Sequence, residues 1–163
     1  MRPIKNRIIF LEGIDKSGKT AIRDRMYKEK HLYQYWIEDR GFVSRHVYHA
    51  FRQEPPESLA NWQIPINVLV KNNLAAIVYL NVNPEIAVKR HLSKNEYPEF
   101  TKDEFKDQQN IYTEVLGYYN LYFNVPVLEI DTAIYNIDES INLIKDWINT
   151  KEAELDLYTK AIK

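Results

Sequence analysis

The sequence predicts an α/β domain, a three-layer sandwich with a short, mostly parallel sheet of about four strands flanked by helices. Short β-prone runs alternate along the 163 residues with helical repeats of ten or more, and parallel neighbours need such long crossover connections. The first β-prone run also stops at a turn bracketed by Gly13 and Gly18, where a helix is due to begin.

Taken in order, Ile8-Ile9-Phe10-Leu11 is continuous and apolar, as in a strand covered on both faces, and ends at Glu12-Gly13. A helix is expected from Gly18 to about His31. Tyr33 to Ile37 reads as a second strand, closed by Glu38-Asp39-Arg40 and punctuated by Gly41. Val43, Val47, Ala50 and Phe51 recur at helical spacing up to Arg52, and Pro55-Pro56 breaks the pattern. Another helix is expected over Leu59 to Lys71, entered past Pro65.

Ala75 to Val82 is the clearest strand, and Asn83-Pro84-Glu85 starts a helix lasting to about Ser93, with Asn83 as cap and Pro84 in the first turn. Thr101-Lys102-Asp103-Glu104 spells a capping box that opens a long helix to about Phe123. Val125 to Ile130 is a last strand, whose Pro126 suits a strand start or a sheet edge. Ile137, Ile141, Ile144 and Ile148 mark a final amphipathic helix. The expected organisation is one domain over 1–149, with a lid region about 90–100, and a polar C-terminal extension over 150–163.

Lys and Arg number 22 against 23 Asp and Glu, so no global field favours a long polyanion, and phosphate binding has to be local. The absence of cysteine removes disulfides, thiolate metal sites and cysteine nucleophiles. The apolar run after Arg2 and Lys5 is far too short for a signal or membrane segment, so a cytoplasmic protein with no membrane partner is expected. Nothing in the composition decides between a monomer and a homodimer.

Gly13-Ile14-Asp15-Lys16-Ser17-Gly18-Lys19-Thr20 matches the full G-x-x-x-x-G-K-[ST] pattern between a predicted strand and a predicted helix. The two glycines allow backbone angles that turn successive N–H groups toward phosphate oxygens, and the helix that follows adds its positive end. Lys19 is placed to reach the β and γ phosphates, and the Thr20 hydroxyl to ligate a magnesium ion bridging them. Nucleotide-binding candidates are therefore Gly13, Asp15, Lys16, Ser17, Gly18, Lys19 and Thr20, with ATP and Mg2+ as the expected cofactors. The sandwich becomes one of P-loop NTPase type.

Phe10-Leu11-Glu12-Gly13-Ile14-Asp15-Lys16-Ser17-Gly18-Lys19-Thr20, followed by Asp39-Arg40, Ser44 and Tyr48, resembles the thymidylate kinase family and its small phage-type deoxynucleotide kinase relatives. Those families carry F-E-G-x-D-x-x-G-K-T and then D-R-x-x-x-S with a tyrosine shortly after. The resemblance implies transfer of the γ-phosphate of ATP to a deoxynucleoside monophosphate. It implies that Asp15 contacts the acceptor sugar, that Arg40 grips the acceptor phosphate with Ser44 and Tyr48 nearby, and that Asp39 is the strand-end acid near magnesium. By the same resemblance Arg90 approaches the transferring phosphate and Asp131 lies beside the ATP base.

The sequence departs from the family at three places. Ala21 replaces a second hydroxyl residue, the stretch from Thr20 to Tyr33 has room for one helix where the family inserts a further strand and helix, and the lid lacks a second arginine, leaving Lys94 as the cation after Arg90. Part of the acceptor pocket is thus missing or supplied differently. Arg52 remains a candidate for the acceptor side.

Phosphoryl transfer depends on positioning and charge neutralisation, so Lys19, Asp39, Arg40 and Arg90 are the catalytic candidates, with Thr20 and Asp39 for the metal. An acceptor phosphate is already ionised, whereas a hydroxyl needs a base; Asp39, Asp15 and Glu12 all qualify on sequence. Two further readings stay open: phosphorylation of a hydroxyl on a nucleoside or on a modified base or end of DNA, and a nucleotide-binding module without transfer. His46 and His49 have the spacing of a metal pair but no third ligand nearby, and a structural role is expected. Packing is likewise expected of Tyr118, Tyr119, Tyr122 and Phe123.

Overall fold

A computed structural model describes residues 7–55 and 57–161, with the side chains of 57–61 and 152–161 left out of the description. Pro56 and the ends at 1–6 and 162–163 lie outside the described residues. The chain runs β1 (Ile8–Glu12), α1 (Lys19–Met26), β2 (Trp36–Asp39), α2 (Phe42–Phe51), α3 (Glu57–Lys71), β3 (Ala75–Asn81), α4 (Pro84–Leu92), α5 (Lys102–Phe123), β4 (Val127–Asp131) and α6 (Ile137–Ala161). The four strands form one sheet in the order β2-β1-β3-β4, and every pairing is parallel. The predicted α/β three-layer fold class is the one observed.

Alternation along the strands divides the core in two. Ile9, Leu11, Ile37, Val78, Leu80 and Ile130 point to a cluster completed by Ile22 and Met26 of α1 and Ile141, Ile144 and Ile148 of α6. Phe10, Ala75, Ile77 and Tyr79 point to the other face, against α2, α3, α4 and α5. β1 and β3 are therefore covered on both sides, which is why their sequences read as unbroken apolar runs.

The boundaries of α1, β2 and α3 differ from the sequence expectation. α1 ends at Met26 rather than near His31, and the chain then descends through turns closed by Leu32 N to Glu29 O and Tyr35 N to Leu32 O. These turns drop Leu32 and Tyr35 into the α1–α6 core while Tyr33 stays exposed, so β2 begins at Trp36 instead of Tyr33. α3 begins before Pro65 and carries it inside the helix. Past residue 149, α6 continues without a break to Ala161.

Local signals fared well. Asn83 Oδ1 accepts from Glu85 N at 2.8 Å, and Thr101 and Glu104 exchange both capping-box bonds. Pro126 lies just ahead of the edge strand β4, and its carbonyl still accepts from Ile77 N at 2.9 Å. Among the described residues no helix is long and apolar enough to cross a membrane.

Candidate active site

All four strands end on the same side of the sheet, which collects Glu12, Asp39, Asn81 and Asp131 at one rim. β1 has β2 on one side and β3 on the other, so the strand order reverses at β1, the place where open parallel sheets form their ligand crevice. The loop Gly13–Thr20 emerges there. Gly13 has φ +145°, and a Cβ on it would lie 2.4 Å from the Leu80 carbonyl oxygen, so no side chain fits. Gly18, at φ 99°, is the left-handed residue that opens α1.

Lys19 is buried and folds back over this loop. Its Nζ donates to Gly13 O at 2.9 Å, to Ile14 O at 2.7 Å and to Ser17 Oγ at 3.2 Å. Burial lowers the ammonium to about 8; Arg40 pushes it the same way, while Asp39, Asp15 and Glu12 oppose the fall. A cation so poorly hydrated gains strongly from an anion brought to it.

Thr20 Oγ1 donates to Asp39 Oδ2 at 2.9 Å, because the β1–β2 register sets Asp39 opposite Leu11, just below the loop. Arg23 Nη1 stands 3.6 Å from the same oxygen. Two oxygen donors beside a phosphate loop suit magnesium, which takes few protein ligands and completes its shell with water and phosphate. Among the described residues no group of three or more His, Cys, Asp or Glu forms a separate metal cage. His46 instead bonds Tyr119 through Nδ1 at 2.9 Å, and His49 Nε2 lies 3.0 Å from Pro55 O.

Arg40 occupies a left-handed backbone conformation at φ 69°, held by its N–H bond to Leu11 O at 2.9 Å. Left-handed geometry costs a non-glycine residue about 1–2 kcal/mol. In return the guanidinium points across the rim: Nη1 donates to Tyr48 OH at 2.7 Å, and Nη2 lies 3.5 Å from Asp15 Oδ1.

Two clefts meet at this point, and Asp15 and Arg40 line both. The first, about 920 Å³, holds Lys19, Thr20, Asp39, Arg90, Lys94 and Thr132. The second, about 540 Å³, is walled by Ser44, Arg45, Tyr48, Arg52, Trp62 and Phe100. Arg45 lies 4.9 Å from the centre of the Trp62 ring, and Arg52 lies 5.4 Å from that of Tyr48. Arg45, Trp62 and Phe100 went unnoticed in the sequence, where nothing local ties α3 or the segment before α5 to Arg40.

Arg90 acts as a strut. Its Nη1 donates to Lys16 O at 2.9 Å and its Nη2 to Thr132 O at 2.7 Å, binding the loop Gly13–Thr20 to the turn after β4. Asp131 Oδ1 accepts from Ala133 N at 2.8 Å, and Thr132 is the residue of that turn lining the first cleft. Tyr119 is buried as expected, whereas Tyr118 and Tyr122 are exposed.

Glu12 lines neither cleft and is fully buried beneath the loop. Its Oε2 accepts from Ser44 N at 3.1 Å and from Ser44 Oγ; that hydroxyl lies 2.8 Å from Tyr112 OH, which donates to Gly13 O at 3.1 Å. Burial raises its carboxyl from an ordinary 4.5 to about 7, with the Ser44 bonds and Lys19 pulling the other way. Since the folded value lies above the unfolded one, stability from this group is lost as pH rises from about 4.5 to about 7. That difference is worth roughly 3 kcal/mol at most. Glu12→Gln should therefore raise Tm relative to wild type at pH 8 by several degrees more than at pH 5.5, read by thermal melts of both proteins at both values.

No protein-family model matches the sequence, and no curated protein matches it. Solved structures do resemble it. The YorR protein from Bacillus subtilis, solved in complex with phosphorylated GDP, superposes with a TM-score of 0.66 at 18% identity over 90% of this chain and 98% of its own. Deoxyadenosine kinase from M. mycoides, solved with bound dCTP, gives a TM-score of 0.60 at 16% identity over 88% of this chain and 99% of its own. The same enzyme with the products dCMP and a flexible dCDP gives 0.60 at 16%, over 88% and 98%. The chain shares the fold of these structures. Within it the phosphate loop, the Thr20–Asp39 pair and the Asp15–Arg40 junction all sit at the carboxyl rim of the sheet.

Proposed function

We propose that this chain is a nucleotide kinase that moves the γ-phosphate of ATP to a deoxynucleoside monophosphate, as thymidylate kinases do. The observation that carries the reading is the meeting of two clefts, one built on the phosphate loop and one on arginines and aromatic rings, at Asp15 and Arg40. ATP would place its triphosphate along Gly13–Thr20, drawing the Lys19 ammonium off the Gly13 and Ile14 carbonyls onto the β and γ phosphates. Thr20 and Asp39 would hold magnesium, which supplies positive charge to the phosphate oxygens. The acceptor would lie in the second cleft, its base among Phe42, Tyr48 and Phe100 and its phosphate against Arg40.

An oxygen of the acceptor phosphate forms the new bond to the γ-phosphorus as the bond to the ADP oxygen breaks. That oxygen is already ionised, so no protein base is required. Lys19 and Arg40 neutralise the charge that spreads over the moving group.

The test is a panel of deoxynucleoside monophosphates, nucleosides and DNA ends, incubated with ATP and magnesium and scored for phosphate gain. A deoxynucleoside monophosphate should gain it fastest. Transfer to nucleosides alone would favour a hydroxyl-directed kinase, a reading that the likeness to deoxyadenosine kinase supports. Transfer to DNA ends would shift the acceptor to a polymer, and ATP binding without transfer would leave a nucleotide-binding module.

A further inference from the structure

Behind Asp15 lies a buried histidine. His91 sits on α4 one turn after buried Ala87, so both face the interior. Its ring is stacked against Phe105 of α5, 6.1 Å between centres and 21° between planes. Confined in this way, the ring presents its two nitrogens to two carboxylates. Nε2 is 3.1 Å from Asp15 Oδ2, and Nδ1 is 3.7 Å from Glu96 Oε2.

Neither nitrogen makes an aligned hydrogen bond, although both are buried. Buried polar groups are normally satisfied, so a small turn of the Asp15 carboxylate onto Nε2 is the nearest remedy. Catalytic hydrogen bonds are often poorly aligned before ligands arrive. Glu96 is fixed in its turn: its N–H donates to His91 O at 3.1 Å, and its carboxylate takes the Lys16 ammonium. A series of neighbours, Lys16, Glu96, His91, Asp15, Arg40 and Tyr48, thus links the phosphate loop to the loop after α4 and to α2.

The Asp15–Arg40 spacing shows what such an arrangement achieves. A carboxylate free to rotate next to a guanidinium would close on it as a two-bond pair and quench its charge. Asp15 Oδ1 stands instead at 3.5 Å from Arg40 Nη2, with Oδ2 directed at the histidine. We propose that His91 is a positioning residue: it holds Asp15 Oδ2 through Nε2, so that Asp15 does not neutralise Arg40 and the guanidinium stays available to an anionic acceptor. The consequence for an acceptor rests on the kinase reading; the His91–Asp15 pairing does not.

The experiment has two arms. In the first, steady-state kinetics compare wild type with His91→Phe, which keeps the ring stack and removes both nitrogens, and with His91→Gln, which restores a donor near the Nε2 position. Expected are a rise of about tenfold in acceptor KM for His91→Phe, kcat within about threefold, ADP affinity within about twofold, and partial recovery in His91→Gln. Asp15→Asn combined with His91→Phe should lose no more than the worse single variant, as for two residues acting as one unit. An unchanged acceptor KM in His91→Phe, or strictly additive losses, overturns the proposal.

In the second arm, long-range nitrogen-15 spectra of the His91 ring are recorded in the native chain and in Asp15→Asn. The Nε2 signal should move while Nδ1 moves less; identical spectra overturn the pairing. This arm decides the matter where His91→Phe fails to fold. It also separates the two claims, since a wild type that phosphorylates no acceptor ends the kinase reading while the spectra still report on His91.

Discussion

Lys19→Ala is expected to lower phosphate transfer by about 10³-fold or more, with a Tm close to that of wild type. The ammonium bonds Gly13 O, Ile14 O and Ser17 Oγ, contacts that tie the loop together without holding the domain. Its burial already lowers it to about 8, so its removal relieves a desolvation cost that offsets the lost bonds. On the kinase reading, what has no substitute is positive charge that follows the γ-phosphate during transfer. ADP affinity should fall by about 10- to 100-fold, the scale of one or two charge-assisted bonds. The checks are ADP release in a coupled assay, calorimetric titration with ADP, and a thermal melt. Full turnover in Lys19→Ala would remove the phosphate loop from the reaction.

Arg40→Ala should cut kcat/KM for a deoxynucleoside monophosphate by about 10²- to 10³-fold and leave ADP binding within about twofold. Two charge-assisted bonds from one planar fork account for that size, and Arg40→Lys should recover a small part of it, since a point charge cannot span two oxygens. The loss should be confined to phosphorylated acceptors. If a nucleoside is the substrate, the same variant changes its turnover little, which makes this substitution a discriminator between the two kinase readings. Arg40→Gly is the structural control, because the left-handed backbone at φ 69° costs glycine nothing. It should be more stable than Arg40→Ala by about 1 kcal/mol and equally impaired.

The legible parts of this fold are those whose cause lies within a few residues. β1 and β3 could be read because each is buried on both faces and so is apolar throughout. The helix starts at Asn83 and Thr101 could be read because a cap and its amide are two or three residues apart. The end of α1 and the start of β2 could not, because Leu32 and Tyr35 take their places from a core completed by Ile141, Ile144 and Ile148 of α6. Arg40 was legible as a residue type after a strand-end acid, but its positive φ was not, since the bond to Leu11 O that fixes it comes from the neighbouring strand. His91 carried a faint signal, falling one turn after Ala87 on what proved to be the buried face of α4.

A glycine-bracketed turn between a buried strand and a helix specifies itself, because backbone angles, N–H directions and the lysine all lie within eight consecutive residues. The glycine-bracketed turn and the order of strands and helices follow from the letters for that reason. Which groups the loop faces does not. Asp15 meets Arg40 and His91, and Glu12 meets Ser44, which in turn meets Tyr112, only once β2 and β3 have taken opposite sides of β1 and α5 has packed over the sheet. These partners are far apart in the chain, and it is burial of the two apolar clusters on either side of the sheet that brings them together.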